Sequence, residues 1–148
     1  MSQKSQSQER LLVTELDQLH TAGAGYDVLR YLCLPELLGT EKQSLLYFLG
    51  KSLARKFEIR SLEDIYHIFK KLGWGTLELS QQKRKTLVFH LLDDAVVYRL
   101  TSSLPVDFRL EAGFLSEAIE MIENQSCECV EEIHEKIHQV EFRVIFTS

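Results

Sequence analysis

The stretch from Asp107 to Asn124, DFRLEAGFLSEAIEMIEN, sets what the rest of the chain must do, which is to cover it. At about 3.6 residues per turn, Phe108, Leu110, Ala112, Phe114, Leu115, Ala118, Ile119, Met121 and Ile122 occupy well over half the circumference. That arc is wider than the stripe of a surface helix, so the spacing predicts a central helix packed on more than one side. Glu111 falls inside the arc, while Ser116, Glu117, Glu120 and Glu123 gather on a narrow polar side. A carboxylate held there needs partners, because burying an unpaired charge is expensive. Its place about one turn from the helix start lets the positive end of the dipole supply part of the compensation. Glu111 is therefore either a structural carboxylate tied to backbone or an arginine, or a ligand contact.

Covering that helix is within reach of one domain: the chain has 148 residues, 45% of them apolar. Residues 1–9, MSQKSQSQE, read as a polar, disordered tail, leaving a single domain over 10–148. A net charge of -5, from 17 basic and 22 acidic residues, offers no basic footprint for nucleic acid. With neither a signal-peptide run nor a membrane-length apolar run, a cytoplasmic protein is expected. Cys33, Cys127 and Cys129 suit neither a disulfide scaffold nor the usual zinc knuckle, and read as reduced, structural residues.

A first helix is expected from Glu9 to His20, with Leu12, Val13, Leu16 and Leu19 on one face. Residues 26–38, YDVLRYLCLPELL, are apolar nearly all round, so this helix must be buried in the fold or in a partner. Pro35 predicts a kink or fresh start, and Gly39 a stop. Thr40 and Gln43 then read as a capping box opening a helix from Glu41 to Phe57. Its expected core stripe is Leu45, Leu46, Leu49, Leu53 and Phe57, flanked by Gly50-x-x-x-Ala54, which permits a close helix approach. Ser44, Phe48, Lys51 and Arg55 share the opposite face: a solvated surface, or a dock for an anion or acidic partner. Ser61 caps a third helix with Leu62, Ile65, Tyr66, Ile68, Phe69 and Leu72 inward and His67 outward, ended by Gly73.

From Thr76 the period changes to two, and alternation on either side of QQKRK predicts an antiparallel hairpin. Asp93 or Asp94 can cap a short helix to Leu100. The last stretch is ambiguous: Val130, Ile133, Ile137 and Val140 have helical spacing, whereas Val140, Phe142, Val144 and Phe146 alternate as a strand. Within it His134-Glu135-Lys136-Ile137-His138 matches H-E-x-x-H, the zinc-hydrolase pattern. Catalytic zinc needs a third protein ligand, and after His138 the sole ligand type is Glu141. The match reads as coincidental, with a zinc hydrolase as the remote alternative. No other catalytic pattern stands out, and no catalytic residue, metal ligand or cofactor is assigned.

Five segments resemble one family: Tyr26-Asp27-Val28-Leu29-Arg30-Tyr31, Leu34-Pro35-Glu36-Leu37-Leu38-Gly39, Gly50-Lys51-x-Leu53-Ala54-Arg55-Lys56-Phe57, Gly73-Trp74-Gly75-Thr76-Leu77 and Phe108-x-Leu110-Glu111-Ala112-Gly113-Phe114. They look like the YslB-like bacterial proteins, a domain of unknown function, over nearly the whole chain from about residue 25. The order of elements is more distantly similar to the 4-vinyl-reductase-type ligand-binding domains and the small TRAPP subunits. The resemblance implies an α+β, TRAPP-like ligand-binding fold, with a four-stranded antiparallel sheet packed against helices. It also implies a closing β-hairpin near 127–135 and 139–146, against the helical count, so that His134 and His138 straddle a turn.

Two functions from different classes follow. One is a non-catalytic module that binds a small apolar or anionic molecule between the sheet and its helices. The other is a homodimeric adaptor that binds proteins, the dimer being expected from the apolar helix 26–38 and from the association of TRAPP subunits through helices. Phe48, Lys51, Arg55, Trp74 and Glu111 are the candidate ligand or partner contacts. If Lys51 or Arg55 pairs with Glu111, the set is structural; if the cations face a groove with Phe48, it serves recognition.

Overall fold

The computed structural model describes residues 10–19 and 23–147. Its centre is helix α6 (Arg109–Glu123), in which Leu110 to Ser116, Ala118 and Ile119 are all buried. One side of α6 meets α3 (Lys42–Ala54) with backbone against backbone: a Cβ on Gly50 would overlap the Leu110 carbonyl, and one on Gly113 the Tyr47 carbonyl. Its other sides meet helix α4 (Leu62–Lys71) and a four-stranded antiparallel sheet. The strands are β1 (Thr76–Gln82), β2 (Thr86–Leu92), β3 (Cys127–His134) and β4 (Gln139–Phe146), in the order β1-β2-β4-β3. A bulge between Leu79 and Gln81 carries β1 to Gln82, so the expected five-residue turn shrinks to 83–85. Between sheet and helices lies an aromatic cluster in edge-to-face contact, with Phe69–Trp74 centroids 5.0 Å apart, Trp74–Phe114 5.4 Å and Phe69–Phe114 5.8 Å.

The closing hairpin is the one that the resemblance implied. Val140, Phe142 and Val144 alternate inward, and the helical count fails because Val130 and Ile137 are exposed. The amphipathic helix α4 forms as expected: Ser61 Oγ accepts from Asp64 N at 3.3 Å, and Ile65, Ile68 and Phe69 are buried. The short helix α5 (Asp94–Thr101) also forms, but the Asp93 carboxylate accepts from Thr76 Oγ1 at 2.7 Å and makes no cap bond. Among the described residues no helix is long and apolar enough to cross a membrane.

Several expectations change. The polar tail over 1–9 lies outside the described residues, as does part of the expected first helix. What is described of that helix is a 3-10 segment, Val13–Gln18, with Leu16 buried and Leu12 and Leu19 exposed. Before it Leu11 pairs in parallel with Phe57, donating its N–H to Lys56 O at 2.7 Å. That extended bridge takes the backbone out of helical geometry.

Helix α3 stops at Ala54, and its buried line is Leu46, Gly50 and Ala54. Leu45 and Leu49 are exposed because the small residues, not the leucines, set which face can approach α6. The Thr40 capping box makes no side-chain cap bond. Ser116 lies not on a solvent side but fully buried, donating to Cys127 O at 3.0 Å.

The segment 25–38 comprises α1 (Gly25–Val28), a wide π-turn Leu29–Cys33 and α2 (Leu34–Leu38). The π-turn, closed by Leu34 N donating to Leu29 O, comes just before Pro35, which has no N–H to offer. Only Arg30 and Tyr31 of this segment are buried, whereas Leu29, Leu32 and Leu37 face outward.

Candidate functional site

The α1–π-turn segment crosses the start of α6, and there the fully buried Glu111 finds its partner. It is Arg30, not Lys51 or Arg55: Arg30 Nη1 donates to Glu111 Oε2 and Nη2 to Oε1, each at 3.0 Å. The same Nη2 reaches the Asp107 carboxylate at 3.1 Å and its carbonyl at 3.2 Å. Burial pulls the Arg30 pKa down, but the charge and hydrogen bonds of Glu111 outweigh it and hold it above its ordinary value. Arg30 Nη1 and Trp74 Nε1 both donate to the Tyr26 hydroxyl at 3.0 Å. Burial, then the Glu111 charge, raises the Tyr26 pKa, so this hydroxyl stays protonated.

Trp74, two residues before β1, is buried, and it joins this network to a second arginine. Arg99 of α5 donates Nη2 to the Trp74 carbonyl and lies 5.2 Å from the Phe108 ring centroid. Arg99 is 5% exposed, and its Nε and Nη1 have no hydrogen-bond partner. Among the described residues no carboxylate stands within ion-pair distance of it. Arg30 also leaves its Nε over, but Arg30 has Glu111 and Asp107. Arg99 lines a cleft of about 180 Å³ with Asp27, Gly73, Ala95, Tyr98, Ser102 and Leu104.

The remaining candidates lie elsewhere, along the seam between α3 and α6. Lys51 Nζ donates to Ser116 Oγ at 3.2 Å and stands 3.6 Å from Glu128 and 4.0 Å from Glu120. Arg55 pairs with Glu117 at 3.1 Å. Phe48 projects from α3 at 62% exposure. The five residues do not converge: Glu111 and Trp74 belong to one network, and the two cations are matched by acids of α6 and β3. Sequence reading missed Tyr26, Arg30 and Arg99. The signal for Arg30 was present, as the one cation in the mostly apolar segment 26–38, and Arg99 likewise follows the apolar run Ala95 to Tyr98.

In the closing hairpin, His134 ends β3 and His138 lies beyond the turn at φ 50. His134 Nε2 is 3.5 Å from Glu141 Oε1. Cys127 and Cys129 are buried, and burial pushes Cys127 up to about 11 and Cys129 well above its ordinary range.

Known proteins with related chains share this architecture. A vinyl-4-reductase family protein from Methanocaldococcus jannaschii superposes with a TM-score of 0.60 at 16% identity, covering 92% of this chain and 88% of that one. An H-NOX protein from K. algicida superposes with a TM-score of 0.52 at 12% identity, covering 88% and 76%. At such identities these likenesses speak for the fold alone. In sequence, the chain is 23% identical over 107 residues to MJ1642 of M. jannaschii, 72% of this chain and 65% of that protein. It is 33% identical to YslB of Bacillus subtilis over 128 residues, 86% of each chain, and both are described as uncharacterised. Residues 23–145 match the family described as a protein of unknown function, DUF2507, and with that extent of match the chain belongs to it.

Proposed function

We propose that this chain is a non-catalytic, cytoplasmic binding module for a small anionic molecule, held in the cleft against Arg99. The observation that carries the reading is a guanidinium withdrawn from water with two donors unfilled and, among the described residues, no carboxylate within ion-pair distance. Such a group is costly unless an anion completes it. A site between sheet and helices is less favoured, since the aromatic cluster fills that layer. The seam cations are also less favoured, because Glu117, Glu120 and Glu128 already neutralise them. Asp27 lines the same cleft, so a dianion is repelled; a molecule with a single carboxylate and a hydrogen-bond donor, such as a hydroxy acid anion or a zwitterionic amino acid, suits it better. At about 180 Å³ the cleft is smaller than the roughly 300–1,000 Å³ that drug-sized ligands occupy. A non-catalytic role fits the raised pKa values of Cys127 and Cys129, which leave neither thiol ionised as a nucleophile at neutral pH.

Calorimetric titration with lactate, glycine, acetate and phosphate tests the proposal. Saturable binding of lactate or glycine is expected, weakened at least about tenfold in Arg99→Met, the 1.4 kcal/mol that one charge-assisted bond readily supplies. Removing an uncompensated buried cation should leave stability unchanged or raised. Binding by none of the four, or equal binding by wild type and Arg99→Met, would overturn it.

A second reading, a homodimer, rests on the leucines that sequence placed in a buried helix. Leu29, Leu32 and Leu37, with Leu45, Phe48 and Leu49 of α3, are exposed. Apolar groups so numerous on neighbouring helices suit a partner surface.

A further inference from the structure

The strand register sets Glu78 opposite His90, His90 opposite Glu141, and Glu141 opposite Glu132, one residue from each strand across the outer face of the sheet. Their neighbours Leu77, Leu91 and Val140 point into the core, so this row points away from it. Two carboxylates directly opposite each other, Glu132 and Glu141, destabilise a sheet unless positive charge stands between them. Two imidazoles converge on the same carboxylate oxygen: His134 Nε2 is 3.5 Å and His90 Nε2 3.8 Å from Glu141 Oε1. The donor atoms of Glu132, His134 and Glu141 all lie within 4.8 Å of one another.

We propose that His90, Glu132, His134 and Glu141 bind a divalent first-row transition-metal ion of the zinc class, cross-linking β2, β3 and β4. Two imidazole nitrogens and two carboxylate oxygens suit zinc, whereas magnesium and calcium favour oxygen alone. Tetrahedral zinc with bonds of about 2.0–2.1 Å sets its donors about 3.3 Å apart. His134 at 3.5 Å is close to that value, the three-residue group closes from at most 4.8 Å, and His90, 3.8 Å from Glu141 Oε1 but outside that group, swings in about its own side-chain bonds, all on strands whose register is already fixed. Arg143 Nη2 donates to Glu141 Oε2 at 2.8 Å, orienting the carboxylate and leaving Oε1 for the metal. Its positive charge opposes the cation, and the two carboxylates offset it. This is not the H-E-x-x-H arrangement: Glu135 and His138 are outside the donor set. Four protein ligands also leave no open position for an activated water, so the ion is structural.

Protein stripped with a chelator is titrated with zinc chloride near neutral pH, with bound metal counted by elemental analysis after dialysis. One zinc per chain and a higher melting temperature are expected, and magnesium chloride at equal concentration should give neither. His134→Gln, His90→Gln and Glu141→Gln should each weaken zinc binding at least about tenfold, while His138→Gln leaves it unchanged. Circular dichroism in chelator identifies which variants are folded, and any folded one of the three decides. Substoichiometric zinc on the wild type, undiminished affinity in a folded ligand variant, or loss in His138→Gln instead would overturn the site.

Discussion

Glu111 and Arg30 make each other tolerable. Each is buried, and each supplies the other's charge through two parallel hydrogen bonds of 3.0 Å. Removing one member strands the other, so Arg30→Met is expected to lose about 3–5 kcal/mol of stability, measured by urea denaturation. Glu111→Gln should be strongly destabilising too, while a double variant Arg30→Met with Glu111→Leu recovers much of the loss. Arg55→Ala should change stability by less than about 1 kcal/mol, because the Arg55–Glu117 pair is half open to water. Equal losses in Arg55→Ala and Arg30→Met would contradict this division. That Glu111 needs a partner was legible in its place inside an apolar arc. That the partner is Arg30, 81 positions away, was not, since helical periodicity says nothing about what lies across an interface.

Among the elements, α3 and α6 are held closest, at Gly50 and Gly113. Gly113→Ala would drive a methyl group into the Tyr47 carbonyl, which is backbone and cannot swing aside. The helices must then separate, at a cost of about 1–3 kcal/mol or more, read as a lower melting temperature. An unchanged melt would show that the crossing is looser than described. Gly50-x-x-x-Ala54 was legible as a close-approach face, and of the expected stripe Leu46, Leu53 and Phe57 reach the core while Leu45 and Leu49 do not. Leu45 and Leu49 have the right period, but only the small residues let the backbones meet. The closing hairpin was misleading for a related reason. Val130 and Ile137 entered the helical count although one faces outward on β3 and the other sits in the turn.

For the whole molecule, the proposed dimer is argued from leucines that one copy leaves in water. Light scattering at micromolar concentration should give twice the 17.2 kDa chain mass, and Leu37→Lys with Phe48→Glu should halve it without loss of fold. A wild-type monomer at that concentration would remove the second reading. By itself the sequence determined the central helix, the capped helix Leu62–Lys71 and the hairpin of β1 and β2, because helical and strand periods are local properties written in neighbouring residues. Only the tertiary structure decided that Arg30 meets Glu111, that Arg99 lines a cleft with no carboxylate of the described residues within ion-pair distance, and that His90 and His134 converge on Glu141. These are meetings of side chains from separate elements, settled by which backbones pack closest and by strand register, and no local pattern carries that information.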